Sequence, residues 1–213
     1  MSVFVSVENG KLYLNPEIIT PWFCFFFISN LWYNALWTVV WIREEIVAAC
    51  ILLFLVAQTS IFSIGILARN IAKDNHQLKR EKPKLYWLYV ALPLNSLGLY
   101  ATWVVIASMA NLGHVLQYVA EISSTQVSHI CLGILLTIII LYFILENTVF
   151  DHYIRFLLTP YLVVIWASIG IIAKNHNVAD STKNLAFAIL GLGCIFLVLR
   201  LIIVGLRQKL KPL

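Results

Sequence analysis

The residues of this chain that could do chemistry fall into two polar–aromatic stripes and one pair of charges. Asn30, Asn34, Trp37 and Trp41 follow one another at spacings of four, three and four. At about 100° per residue they share one helix face. Trp103, Ala107, Ala110, Asn111 and His114 fall on one broad face of a later segment. Indole faces stack on flat apolar molecules, and amides fix orientation by hydrogen bonding. An amide in hydrocarbon finds no partner in lipid and must bond to another helix, to backbone or to a ligand. Each stripe therefore serves either helix packing or ligand contact. With Trp166 from a later run, the candidate ligand-lining set is Asn34, Trp37, Trp103, Asn111 and Trp166. A lone His114 is weak ground for haem or metal ligation.

The charges are Glu146 and Arg200, each set in an otherwise apolar run. An isolated charge costs about 2.5–3.5 kcal/mol in a bilayer on insertion scales. A Glu146–Arg200 ion pair would lower that cost. Asp151 is the other candidate partner of Arg200, and it precedes Arg155 by four residues, a favourable helical spacing. Two roles stay open for the pair: a structural clamp at the ends of the helices, or an ion or proton pathway.

The elements that must carry these residues are set by composition. Of 213 residues, 61% are hydrophobic and 12% charged, against about 45–50% and about 25% in soluble domains. Runs free of Asp, Glu, Lys and Arg recur at lengths near the roughly 20 residues that a bilayer-crossing helix needs. The expected fold is all-α: a polytopic integral membrane helix bundle of about six spans. One transmembrane domain covers residues 1–213, with spans near 20–42, 46–68, 88–118, 126–148, 154–173 and 184–206. Pro93 is expected to kink the third span or mark its start, and Pro160 falls inside the fifth. "LGLG" at 190–193 lightens the sixth.

Lys and Arg set the orientation. Six spans put both termini on one side with the link between spans 2 and 3. That side holds Lys11, Arg69, Lys73, Lys79, Arg80, Lys82, Lys84, Arg155, Arg207, Lys209 and Lys211, and the other holds Arg43, Lys174 and Lys183. Both termini are therefore expected in the cytoplasm. The start of the chain lacks the basic region, short apolar core and small-residue cleavage site of a signal peptide. The net charge of +5 restates the same bias and points to no nucleic acid. Cys24, Cys50, Cys131 and Cys194 all fall in spans without CxxC spacing, and read as small buried hydrophobes. No metal-ligand cluster, phosphate loop or nucleophile elbow is present, so neither enzyme activity nor a cofactor is expected. The expected partners are the lipid bilayer, a hydrophobic small molecule and, since small-residue faces allow it, a second copy of the chain.

"NLWYNALWTVVW" resembles the asparagine-then-tryptophan signature in the third helix of the tryptophan-rich sensory proteins, the TspO/MBR or translocator protein family. "ALPLNSLGLYATWVVIASMANLGHVLQY" resembles that family's last helix, where Leu-Pro, a Trp and a late Asn recur. Longer bacterial and invertebrate relatives carry a W-T-x-A-x-x-x-N pattern there, matched approximately by Trp103, Val104, Ile106 and Asn111. "LENTVFDHYIRFLLTPYLVVIWASIGIIAKN" is also similar to those longer relatives. The resemblance spans most of residues 20–206. It departs at the start, where the "PPW"-like stretch is missing and the first span corresponds to the family's third helix, so the first two helices are expected to be lacking. The resemblance implies a multi-pass membrane protein that binds a porphyrin- or sterol-like molecule within the bundle. Two other classes stay open: a transporter or proton-coupled carrier using Glu146 and Arg200, and a structural or truncated membrane subunit without a ligand.

Overall fold

A computed structural model describes residues 6–7, 10–11, 17–174 and 180–210. Lys211 and the side chain of Lys11, both counted in the charge asymmetry, lie outside the described residues. Ser6–Val7 and Gly10–Lys11 pair as a minimal antiparallel ladder. All other regular structure among the described residues is helical: α1 Pro21–Ile42, α2 Ile46–Lys73, α3 Asn75–Glu81, α4 Pro83–Tyr89, α5 Asn95–Tyr118, α6 Ser124–Thr148, α7 Asp151–Ile154, α8 Thr159–Lys174 and α9 Asp180–Leu210.

Local chemistry sets the ends of these helices. Thr20 caps α1, its hydroxyl accepting from Phe23 N at 3.4 Å, and Pro21 occupies the first turn, where no amide donor is needed. Ser123 does the same for α6 through Gln126 N. Between α4 and α5 the chain forms a single π-turn, Val90–Leu94, around Pro93, whose missing N–H breaks the regular ladder. Pro83–Tyr118 is thus one bent span.

Among the described residues, five helices are long and apolar enough to cross a membrane: α1, α2, the bent Pro83–Tyr118 span, α6 and α9. The apolar α8 is shorter, at 16 residues. Sequence placed its span at 154–173, but Arg155–Leu158 turn instead and the helix starts at Thr159. Pro160 is therefore in the first turn of α8 and produces no kink.

The long helices touch in the pairs α1–α2, α2–α5, α5–α8 and α8–α9, α6 bridges α5 and α9, and the short α7 packs on α2 and α6. Helices α5, α8, α9 and α6 thus close a ring. Gly193 brings α9 close to α8: a Cβ there would sit 3.3 Å from Val164 and Ile165 side-chain carbons. Asn30, Ser60, Ser63, Ser108, Glu146 and Arg200 are buried, while Trp22, Trp32, Ile42 and Trp166 are exposed. Polar groups inside and large apolar groups outside are what a hydrocarbon solvent selects. Cys50 is buried, but Cys194, read from sequence as buried, is exposed on the apolar surface of α9.

Candidate functional site

Arg200 and Glu146 are both fully buried and lie 3.4 Å apart, Nε to Oε1. Arg200 Nη1 donates to Asn147 Oδ1 at 2.8 Å and to Asp151 Oδ1 at 3.1 Å. Its Nη2 donates to the carbonyls of Ile154 and Arg155. Asp151 also receives Arg207 at 2.9 Å and Arg155 at 2.8 Å. Two carboxylates thus hold three guanidiniums where α6, α7 and α9 meet. Burial opposes ionisation of Asp151, but hydrogen bonds and charge from Arg155 and Arg207 outweigh it and hold the carboxyl below its usual range. The Tyr161 hydroxyl donates to Glu146 Oε1. Glu146 Oε2 and the Tyr142 hydroxyl are buried near each other, and neither has another hydrogen-bond partner among the described residues. Tyr142 precedes Glu146 by one helical turn, a spacing visible in sequence that the reading of the charges left out.

A cavity of about 490 Å³ lies beside this cluster, between α2, α5, α6, α8 and the α7 turn. Tyr142 and Tyr161 form part of its wall, so the cavity and the charge cluster share two side chains. The rest is almost wholly apolar, including Ala101, Val105, Ile139 and Val164. Exposed Ile61 on α2 and Ile138 and Leu145 on α6 form its outer rim. Gly65 faces it with nothing within 4 Å of where a Cβ would stand.

The sequence-derived ligand set does not converge on this cavity. Asn34 is half-buried, and it lines neither this cavity nor the second one described below. Trp37 Nε1 reaches Asn111 Oδ1 at 3.5 Å, so these two residues bond to each other across α1 and α5. Trp37 also stacks on Trp41, which packs against His114, itself stacked on Tyr118. Trp103 and Trp166 are 49% and 72% exposed and line a second cavity, of about 640 Å³, in the ring of α5, α6, α8 and α9. The stripe residue with the most bonds is Asn30. Its Nδ2 lies 2.7 Å from the Val56 carbonyl, 3.0 Å from Thr59 and 2.8 Å from Ser60, and its Oδ1 accepts from Tyr100 at 3.0 Å. It ties α1, α2 and α5 together.

Asn95, which the sequence reading passed over, positions the floor of the first cavity. Its Nδ2 donates to the Val90 carbonyl, which also accepts the Asn95 backbone N–H across the π-turn, and to the Phe156 carbonyl. Its Oδ1 accepts from Leu158 N and Thr159 N at the start of α8. The only sequence signal was an asparagine two residues after Pro93.

A family model described as TSPO-like protein matches residues 15–204. No curated protein and no solved structure matches the chain.

Proposed function

The chain belongs to the TSPO-like protein family and is a multi-pass integral membrane protein, and from that premise we propose that it binds a hydrophobic small molecule, porphyrin- or sterol-like, in the cavity between α2, α5, α6 and α8. The observation that carries this reading is the cavity itself: about 490 Å³, almost wholly apolar, and open along a rim that faces lipid. Binding sites for small apolar molecules have this size and lining. Ligand would enter from the bilayer past Ile61 and Ile138 and pack against Tyr142 and Tyr161. The positive-inside bias puts the Arg69 end of the cavity toward the cytoplasm.

The test is a titration of the purified protein in detergent with protoporphyrin, followed by tryptophan quenching, with a sterol in competition. Gly65→Phe fills the cavity where no atom stands in the way, and Asn34→Ala serves as the control that lines no cavity. Saturable quenching that the sterol displaces, lost in Gly65→Phe and kept in Asn34→Ala, is the expected result. Quenching that does not saturate and is equal in all three proteins would sink the reading. The carrier reading has less support: Glu146, Asp151, Asn147 and two carbonyls all hold Arg200, as they would in a structural clamp.

A further inference from the structure

The second cavity differs from the first in having polar chemistry at one end. It occupies the ring of α5, α6, α8 and α9, and meets the first cavity only at Ile106 and Leu135, which line both. Those two side chains belong to a packed cluster with Leu132, Ile139, Val164 and Ile189 that separates the two spaces. Along α6 the combined lining runs from Val127 to Leu145, about 27 Å at 1.5 Å per residue. That approaches the roughly 30 Å of a hydrocarbon core, so the cavities sit in opposite halves of the bilayer.

Three polar groups stand at the outer end of the second cavity. Lys174, the last residue of α8, is exposed and lines it, with no hydrogen-bond or ion-pair partner among the described residues. Thr182, in the first turn of α9, is only 4% exposed and lines it too, and its hydroxyl has no hydrogen-bond partner among the described residues. A buried hydroxyl left unpaired costs roughly 1–3 kcal/mol, so its persistence calls for a partner. Ser128 on α6 is the third. The remainder is apolar and aromatic, with Trp103 and Trp166 on the walls. An ammonium and an unpaired hydroxyl beside an apolar trough match one kind of molecule: an anionic head on an apolar tail.

We propose that this cavity is a second binding site, distinct from the first, for a long-chain carboxylate. The carboxylate accepts from the Lys174 ammonium and the Thr182 hydroxyl. The chain runs inward between Trp103 and Trp166 and ends at the Ile106–Leu135 partition. Such charge-assisted bonds are about twice as strong as neutral ones, and the site prefers the anion over its neutral ester.

The experiment uses the full chain in phosphatidylcholine nanodiscs, at a pH where the probe is ionised. Dansyl-undecanoate is the probe, its methyl ester the neutral control, and energy transfer from tryptophan to dansyl the readout. The carboxylate is expected to bind saturably and about tenfold more tightly than the ester. Lys174→Met and Thr182→Val each shrink that preference. Gly170→Phe, placed where no atom lies within 4 Å of the Cβ position, abolishes binding, with its fold checked by circular dichroism. Gly65→Phe leaves binding unchanged. Equal affinity for acid and ester, or an unaltered Gly170→Phe, overturns the proposal. Loss of binding in Gly65→Phe alone also overturns it, because it assigns the probe to the first cavity. Failure of protoporphyrin in the earlier titration touches only that first cavity.

Discussion

Arg200 on α9 and Asp151 on α7 are 3.1 Å apart, and through that contact a buried cation is tied to the turn that closes one end of the first cavity. The same guanidinium holds the carbonyls of Ile154 and Arg155, and Ile154 lines the cavity. The charge cluster therefore builds part of the apolar wall.

Truncating Arg200 should be the most damaging single change in the chain. Arg200→Met leaves Glu146 buried without a cation and removes the bonds to the Ile154 and Arg155 carbonyls. Breaking a buried ion pair from one side costs about 3–5 kcal/mol. Glu146→Gln should cost less, because Arg200 keeps Asp151, Asn147 and two carbonyls. Adding it to Arg200→Met should recover part of the loss. Melting followed by circular dichroism in detergent reads all three proteins. An unchanged melt in Arg200→Met would remove the clamp role.

Asn30 and Asn34 should behave differently although they lie one turn apart on the same stripe. Asn30→Ala removes bonds to α2 and leaves the Tyr100 hydroxyl without its acceptor. Side-chain hydrogen bonds between membrane helices average about 0.6 kcal/mol, so losing several of them should cost about 1–2 kcal/mol. Asn34→Ala should be near neutral in the same melting assay. Equal losses in both would mean that Asn34 has a bonding role the fold does not reveal.

That pair also marks how far the sequence could be read. Helical period puts Asn30, Asn34, Trp37 and Trp41 on one face, and they do share one. Period carries no information about what stands opposite. Thr59, Ser60 and Tyr100 meet Asn30, whereas no side-chain hydrogen bond reaches the Asn34 amide among the described residues. Apolar runs located the helices for the same reason that they sit in lipid. They could not locate the start of α8, where Leu157 and Leu158 look like any span residues. What ends the turn there is Asn95, 63 residues away from Leu158 in sequence. The indoles and amides of the candidate set do not gather in one cavity, on similar grounds: Trp103 and Asn111 share α5, but Asn111 bonds to Trp37 while Trp103 lines the second cavity with Trp166 of α8.

Two glycines that both line the first cavity should respond in opposite ways to alanine. A Cβ at Gly98 would lie 2.4 Å from Leu157 Cδ1 and 2.8 Å from Thr159 Oγ1, at the junction that Asn95 secures. Gly98→Ala forces that junction apart, and overpacking of this kind costs about 1–3 kcal/mol. At Gly65 the same methyl meets nothing. Gly65→Ala should leave the melting temperature unchanged or raise it, since alanine is the better helix former. A destabilised Gly65→Ala would show that α2 needs the space for another chain or molecule.

Acid should weaken the cluster through Asp151. Its carboxyl is held below the usual range in the folded protein, so the folded state binds its proton less readily than the unfolded one. The stability it contributes is complete above the unfolded carboxyl value near ~4 and is lost as pH falls through the lower folded value. The melting temperature in detergent should therefore drop as pH is taken below ~4. Asp151→Asn should start lower at neutral pH, because Arg155, Arg200 and Arg207 lose their shared anion, and should then fall less steeply with acid. Parallel acid profiles for the two proteins would show that Asp151 is not the group whose protonation releases the arginines.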